Sequence, residues 1–136
     1  MRSLKIIALL SSMFVLMVVA SLQAQTLIPA DSAVSDTLIV LMEDVSLAEM
    51  QVEEAIAAPI PSTRAEQKQR LRKIYEARTA LAKTEQEYFA FCSNHAPDID
   101  TRTLFTRKAW RAKREADHYQ GQVYAYIDAE YPRIQR

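Results

Sequence analysis

The chain has 136 residues, of which 17 are basic and 17 acidic, so its formal net charge is zero. That balance gives no bulk attraction to nucleic acid. It holds a single glycine, Gly121, against an average usage of about 7%. Phosphate loops, bulges and tight turns depend on glycine, so Rossmann, P-loop and β-sandwich folds are disfavoured, and abundant Ala, Glu, Gln, Arg and Lys favour helix.

From the N terminus, Arg2 and Lys5 make a short positive region, residues 6–20 are apolar apart from Ser11 and Ser12, and Ser21-Leu22-Gln23-Ala24-Gln25 follows. This is the order of a secretory signal peptide. The apolar run is short against the about 20 residues that span a hydrocarbon core. Residues 1–24 are therefore expected to be removed rather than kept as an anchor, leaving no stable membrane insertion. Leu22 is bulky for the third position before a cut at Ala24, so cleavage after Ala20 is the second candidate. No cysteine follows the apolar run, so a lipid has no acceptor. Without Arg2 and Lys5 the chain keeps 15 bases against 17 acids, a net charge of −2.

Residues 25–35 read as a flexible leader, with Pro29 and no clean period. Over 36–58, Leu38, Leu41, Val45, Ala48, Val52 and Ala55 recur at helical spacing and predict an amphipathic helix. A rival exists: residues 37–42 (TLIVLM) also suit a strand, with a helix starting only at the Ser46-x-x-Glu49 capping box. Pro59 and Pro61 end the segment, because proline disfavours helical geometry in the residue before it.

Thr63-x-x-Glu66 is a second capping box and opens a helix predicted over 64–93, with Ile74, Ala77, Leu81, Thr84, Tyr88 and Phe91 as its stripe and Leu71 extending it. Residues 94–100 form a turn, with Asn94 suited to a C-cap and Asp98 or Asp100 to an N-cap. A third helix is predicted over 101–131, striped by Phe105, Ala109, Ala112, Ala116, Tyr119, Val123 and Tyr126 and ended by Pro132. Two long helices joined by a short turn fold back antiparallel, and a sustained seven-residue period gives coiled-coil-like packing. The fold class is thus all-α: a long helical hairpin with a preceding acidic helix that closes a three-helix bundle. Arg70 and Lys73 would then lie near Asp128 and Glu130, and Glu85 and Glu87 near Arg107 and Lys108.

Charge is segregated along the chain. Residues 25–63 hold seven acids and no Lys or Arg, whereas residues 64–136 hold 15 bases and 10 acids. An acidic first helix is expected to dock on a basic hairpin. The other reading is that it detaches about Pro59 and Pro61 and frees a hairpin face for a partner.

No catalytic set stands out. Cys92 is the only cysteine, so an intramolecular disulfide and a CxxCH haem site are excluded. It reads either as a small buried side chain or as an intermolecular disulfide. Cys92, His95, Asp98 and Asp100 share one turn, the best candidate metal cluster, but they match no standard zinc spacing. Asp117 and His118 are adjacent and so point about 100° apart on a helix. The basic run Arg102, Arg107, Lys108, Arg111, Lys113, Arg114 encloses Trp110 and reads as a solvated face or as an anionic-partner surface. Of six tyrosines, Tyr75, Tyr124 and Tyr131 fall off or at the edge of the stripes. With Trp110 they are the candidate partner-binding residues, because aromatics outside a core stripe are enriched at interfaces.

These readings give an exported, non-enzymatic interaction or structural protein without a cofactor, acting with a protein partner or as a homo-oligomer in a bacterial envelope, in the periplasm or outside the cell. A subunit of a secretion or conjugation apparatus is the leading expectation. A periplasmic chaperone or adaptor and a small metal-binding protein are the alternatives.

Overall fold

A computed structural model describes residues 32–130, with side chains described through Tyr126. The expected signal peptide, most of the leader, and Tyr131 lie outside the described residues. Three helices fill the rest: α1 (Ser32–Ala57), α2 (Arg64–Asn94) and α3 (Ile99–Glu130). The described residues are all-α and contain no strand. The rival strand over residues 37–42 is absent, and one unbroken helix runs through it.

Each boundary follows from local chemistry. Residues at the C-terminal end of a helix leave carbonyls without intrahelical partners. Arg70 meets two such groups after Pro59 and Pro61 turn the chain. Its Nη2 donates to Ile56 O at 2.6 Å and its Nε to Ala58 O at 3.1 Å. At the start of α2, the Thr63 hydroxyl accepts from Glu66 N–H at 3.3 Å and donates to Glu66 Oε2 at 2.6 Å. Helix α2 runs to Asn94, so His95 rather than Asn94 is its C-cap, and its N–H donates to Phe91 O at 3.2 Å.

Asp98 caps α3, which starts at Ile99, two residues before the predicted start at 101. Its two carboxylate oxygens accept from the Thr101 N–H and hydroxyl, both at 2.8 Å. No described residue has a positive φ, so the turn over 94–100, which contains no glycine, does not need one.

Helix α2 lies in the middle and packs extensively on both neighbours, α1 and α3. Leu38 and Val45 of α1, Tyr88 and Cys92 of α2 and Phe105 of α3 form the core, flanked by Leu41, Met42, Leu81, Phe89 and Phe91. Phe105 is the point at which α3 reaches the α1–α2 seam. The α1 stripe holds throughout: Leu38, Val45 and Ala48 are buried and Leu41, Val52 and Ala55 half-buried. So does that of α3, where Phe105, Ala112, Ala116 and Val123 are buried and Ala109, Tyr119 and Tyr126 half-buried.

Helix α2 differs from the one-stripe expectation because it is covered on two sides. Leu81, Tyr88 and Phe91 belong to the core that α1 closes. A second row, about one residue step or 100° around the helix, meets α3. Tyr75 stacks on Tyr119 and Tyr126, the Arg78 guanidinium lies 5.4 Å from the Tyr119 ring centre, and Phe89 stacks on Phe105. Ser93 closes the row at the turn, 2.7 Å from the Thr106 hydroxyl and donating to Arg102 O at 3.3 Å. These pairs define an antiparallel hairpin in the expected register.

Of the expected charge pairs, only those at the turn end fall among the described side chains. Arg70 faces the end of α1, as above, and the side chains of Asp128 and Glu130 lie outside those described. Lys108 does not pair with a carboxylate there. Its Nζ lies 5.3 Å from the Phe89 ring centre and 5.7 Å from that of Phe105, a cation–π placement. Among the described residues, the ion pairs Arg72–Glu76, Arg111–Glu115 and Lys113–Asp117 run along single helices.

Candidate functional site

The turn between α2 and α3 spreads its polar residues apart. Cys92 is fully buried in the core, and burial pushes its thiol pKa up to about 11 even though it is hydrogen-bonded to Tyr88. A thiol that stays protonated is a poor nucleophile and a poor metal ligand. In this packing it is also out of reach of a second chain, so an intermolecular disulfide requires the helices to open. His95 turns back on α2, with Nδ1 2.9 Å from Phe91 O and its ring 4.2 Å from the Phe91 ring centre.

Asp98 is engaged as the cap of α3. The Thr101 N–H and then its hydroxyl hold that carboxyl below its ordinary value. Among the described residues, no three His, Cys, Asp or Glu side chains come together as a ligand set. Buried polar side-chain atoms among them all have hydrogen-bond partners.

Of the four aromatic candidates, the structure separates three. Tyr75 is half-buried between α2 and α3, at 6.2 Å from Tyr119 and 5.9 Å from Tyr126 between ring centres. It is an interhelical contact rather than a free surface. Trp110 and Tyr124 are 63% and 59% exposed. Trp110 also borders a depression of about 290 Å³ between the helices of the hairpin, lined by Gln86, Ala90, Ser93, Thr106 and Ala109.

One exposed apolar feature was not singled out by the stripes. Helix α1 has a second apolar face. Ile39, Val40, Leu47 and Met50 are 45%, 55%, 54% and 64% exposed. Ile39, Met42, Glu43, Ser46, Leu47 and Met50 line a shallow depression of about 400 Å³. Single exposed apolar residues are ordinary, whereas several together on one face call for an explanation. The signal was present in the run TLIVLM, where five of six residues are apolar. A helix shows only one side of such a run to its neighbour, so the rest must face outward.

Glu49 and Glu85 mark the other side of α1. Burial, and then Glu53, raises the Glu49 pKa; burial, and then Glu115 and Glu49, raises that of Glu85, against the opposing pull of Arg111. Glu85 therefore stands near acids of both neighbouring helices.

No protein-family model matches the chain, and no curated protein or solved structure matches it either. Among the described residues, no helix is long and apolar enough to cross a membrane.

Proposed function

We propose that this chain is an exported, non-enzymatic helical interaction protein, a subunit of an envelope assembly such as a secretion or conjugation apparatus, and that the outward face of α1 is its main contact surface. One observation supports this most: Ile39, Val40, Leu47 and Met50 are exposed together on a helix whose opposite side is already docked. Covering large apolar side chains on association removes them from water at about 25 cal/mol per Å². The dispersal of Cys92, His95 and Asp98 favours contact over chemistry. Export rests on the residue order of 1–24.

Cross-linking in the native envelope, followed by capture through a C-terminal tag and mass spectrometry, tests this reading. One dominant partner is expected, whether a second copy or a different protein, and it is lost when Leu47→Asp and Met50→Asp are combined. Many exported proteins in comparable amounts would replace the assembly subunit with a periplasmic chaperone. A captured set unchanged by the double substitution would overturn the reading.

A further inference from the structure

Among the described residues, the acids of α1 form no ion pair with a base of the hairpin. Asp36, Glu43, Asp44, Glu53 and Glu54 are exposed. The basic face of α3 is equally unanswered. Arg107, Arg111 and Arg114 follow one another at four- and three-residue spacing and so share one side of the helix, with Trp110 at its edge, three residues after Arg107 and four before Arg114. All four are exposed, beside the 48% exposed Leu104. Arg111 has an exposed partner on its own helix, Glu115 at 3.2 Å, whereas Arg107 and Arg114 have no ion pair among the described residues.

The two faces match in kind. On α1, Asp36, Ile39, Glu43, Leu47, Met50 and Glu54 recur at spacings of three and four, so acids flank an apolar centre. On α3, arginines flank a tryptophan. Acid meets base at the rim and apolar meets aromatic at the centre, the arrangement of a specific interface. The outward α1 residues lie opposite the stripe that docks on α2, and Arg107, Arg111 and Arg114 lie opposite the buried stripe of α3, with Trp110 at the edge nearer α2. Because α2 packs between the outer two helices, faces turned away from it point outward in diverging directions.

We infer that the acidic apolar face of α1 docks on the basic, tryptophan-bearing face of α3 of a second copy. The inference rests on the interaction reading above and names its partner. Because the joined faces differ and diverge, the contact is heterologous. A pair of copies leaves one face of each kind free, so association continues into a ring or an open row rather than stopping at a two-fold dimer.

Complementary blocking tests this. The chain is expressed from its full sequence, purified in the form the cell leaves it, and followed by sedimentation velocity over a concentration series. The wild type is expected to form species larger than dimers that shrink as salt rises, since exposed charge contacts are screened. One variant blocks α1 (Leu47→Lys with Met50→Lys) and another blocks α3 (Trp110→Ala with Arg114→Glu). Each alone is expected to be monomeric, with wild-type helicity by circular dichroism.

Mixed in equal amounts, the two variants are expected to form a one-to-one dimer and nothing larger, because each keeps one working face. If either double variant loses helicity, Glu43→Lys and Arg107→Glu are expected to give the same pattern, with weaker association instead of full blockage. Three results would overturn the inference: a wild type that stays monomeric, an α3-blocked variant that still self-associates, or a mixture that stays monomeric. In each case capture of a different protein that depends on Leu47 and Met50 would leave the broader interaction reading standing.

Discussion

Tyr75 stacks between two rings of α3, whereas Tyr124, on α3 itself, is 59% exposed. Tyr75→Ala is expected to cost about 2 kcal/mol, below the roughly 3–5 kcal/mol of a fully buried aromatic, and Tyr124→Ala to stay within about 0.5 kcal/mol. Urea unfolding of the two variants measures the contrast. The sequence named both tyrosines alike because each lies off the strongest apolar stripe. Periodicity does not show that α2 is covered on a second side, so it cannot separate an interhelical tyrosine from a surface one. Cys92 was legible as either buried or bridging, and its place beside Tyr88 and Phe105 puts it in the core.

Glu85 sets the pH response at the same scale. Its pKa and that of Glu49 are raised in the folded chain. Between the ordinary carboxylate value and the raised one, the folded state holds more protons than the unfolded state. Stability therefore falls as pH rises through that window, and the penalty is complete above it. Asp98 acts oppositely and lower on the scale, since its depressed pKa gives stability that is lost as pH falls through the folded value. Glu85→Gln is expected to raise the Tm at neutral pH by a few degrees and to flatten the gain seen on mild acidification. Thermal melts from pH 7 to about 4.5 check both effects; an unchanged slope would contradict them.

At the scale of elements, boundaries were legible wherever a side chain closes the helix. Thr63 caps as its spacing implies, Asp98 rather than Asp100 takes the α3 cap, and the prolines after Ala58 stop α1. The role of Arg70 was not legible, because an arginine that donates to carbonyls 12 and 14 residues away looks in sequence like any surface base. It reaches the last carbonyls of α1 only because the proline turn brings the two helices together. Gly121 is a simpler case. It sits inside α3 with nothing within 4 Å of where a Cβ would stand, and its backbone is ordinary helix. Gly121→Ala is expected to stabilise the fold by about 0.4–1 kcal/mol, mainly by restricting the unfolded chain. Denaturant titration measures it, and a loss of stability would show that α3 uses this glycine for close approach.

At the scale of the whole molecule, three helices in sequence leave the outer two with unshared sides. The stripes of α1 and α3 predicted their inward faces well, since a helix facing one neighbour needs one stripe. The candidate surface was only half legible. Trp110 and its arginines were visible as a basic aromatic run. The outward face of α1 was hidden inside an apolar run that served equally as core, and only the direction of its docking on α2 divides the two. The acidic helix α1 docks on the hairpin as the charge segregation implies, but through its apolar stripe, while its exposed acids make no ion pair with the hairpin among the described residues.

The central claim is that contact takes place through the outward face of α1. A photoreactive amino acid at Leu47, with the same group at exposed Lys83 as a control, tests it most directly when irradiated in the native envelope. The account predicts a discrete cross-linked product from Leu47 and little from Lys83. Equal yields from both positions, or none from Leu47, would contradict it.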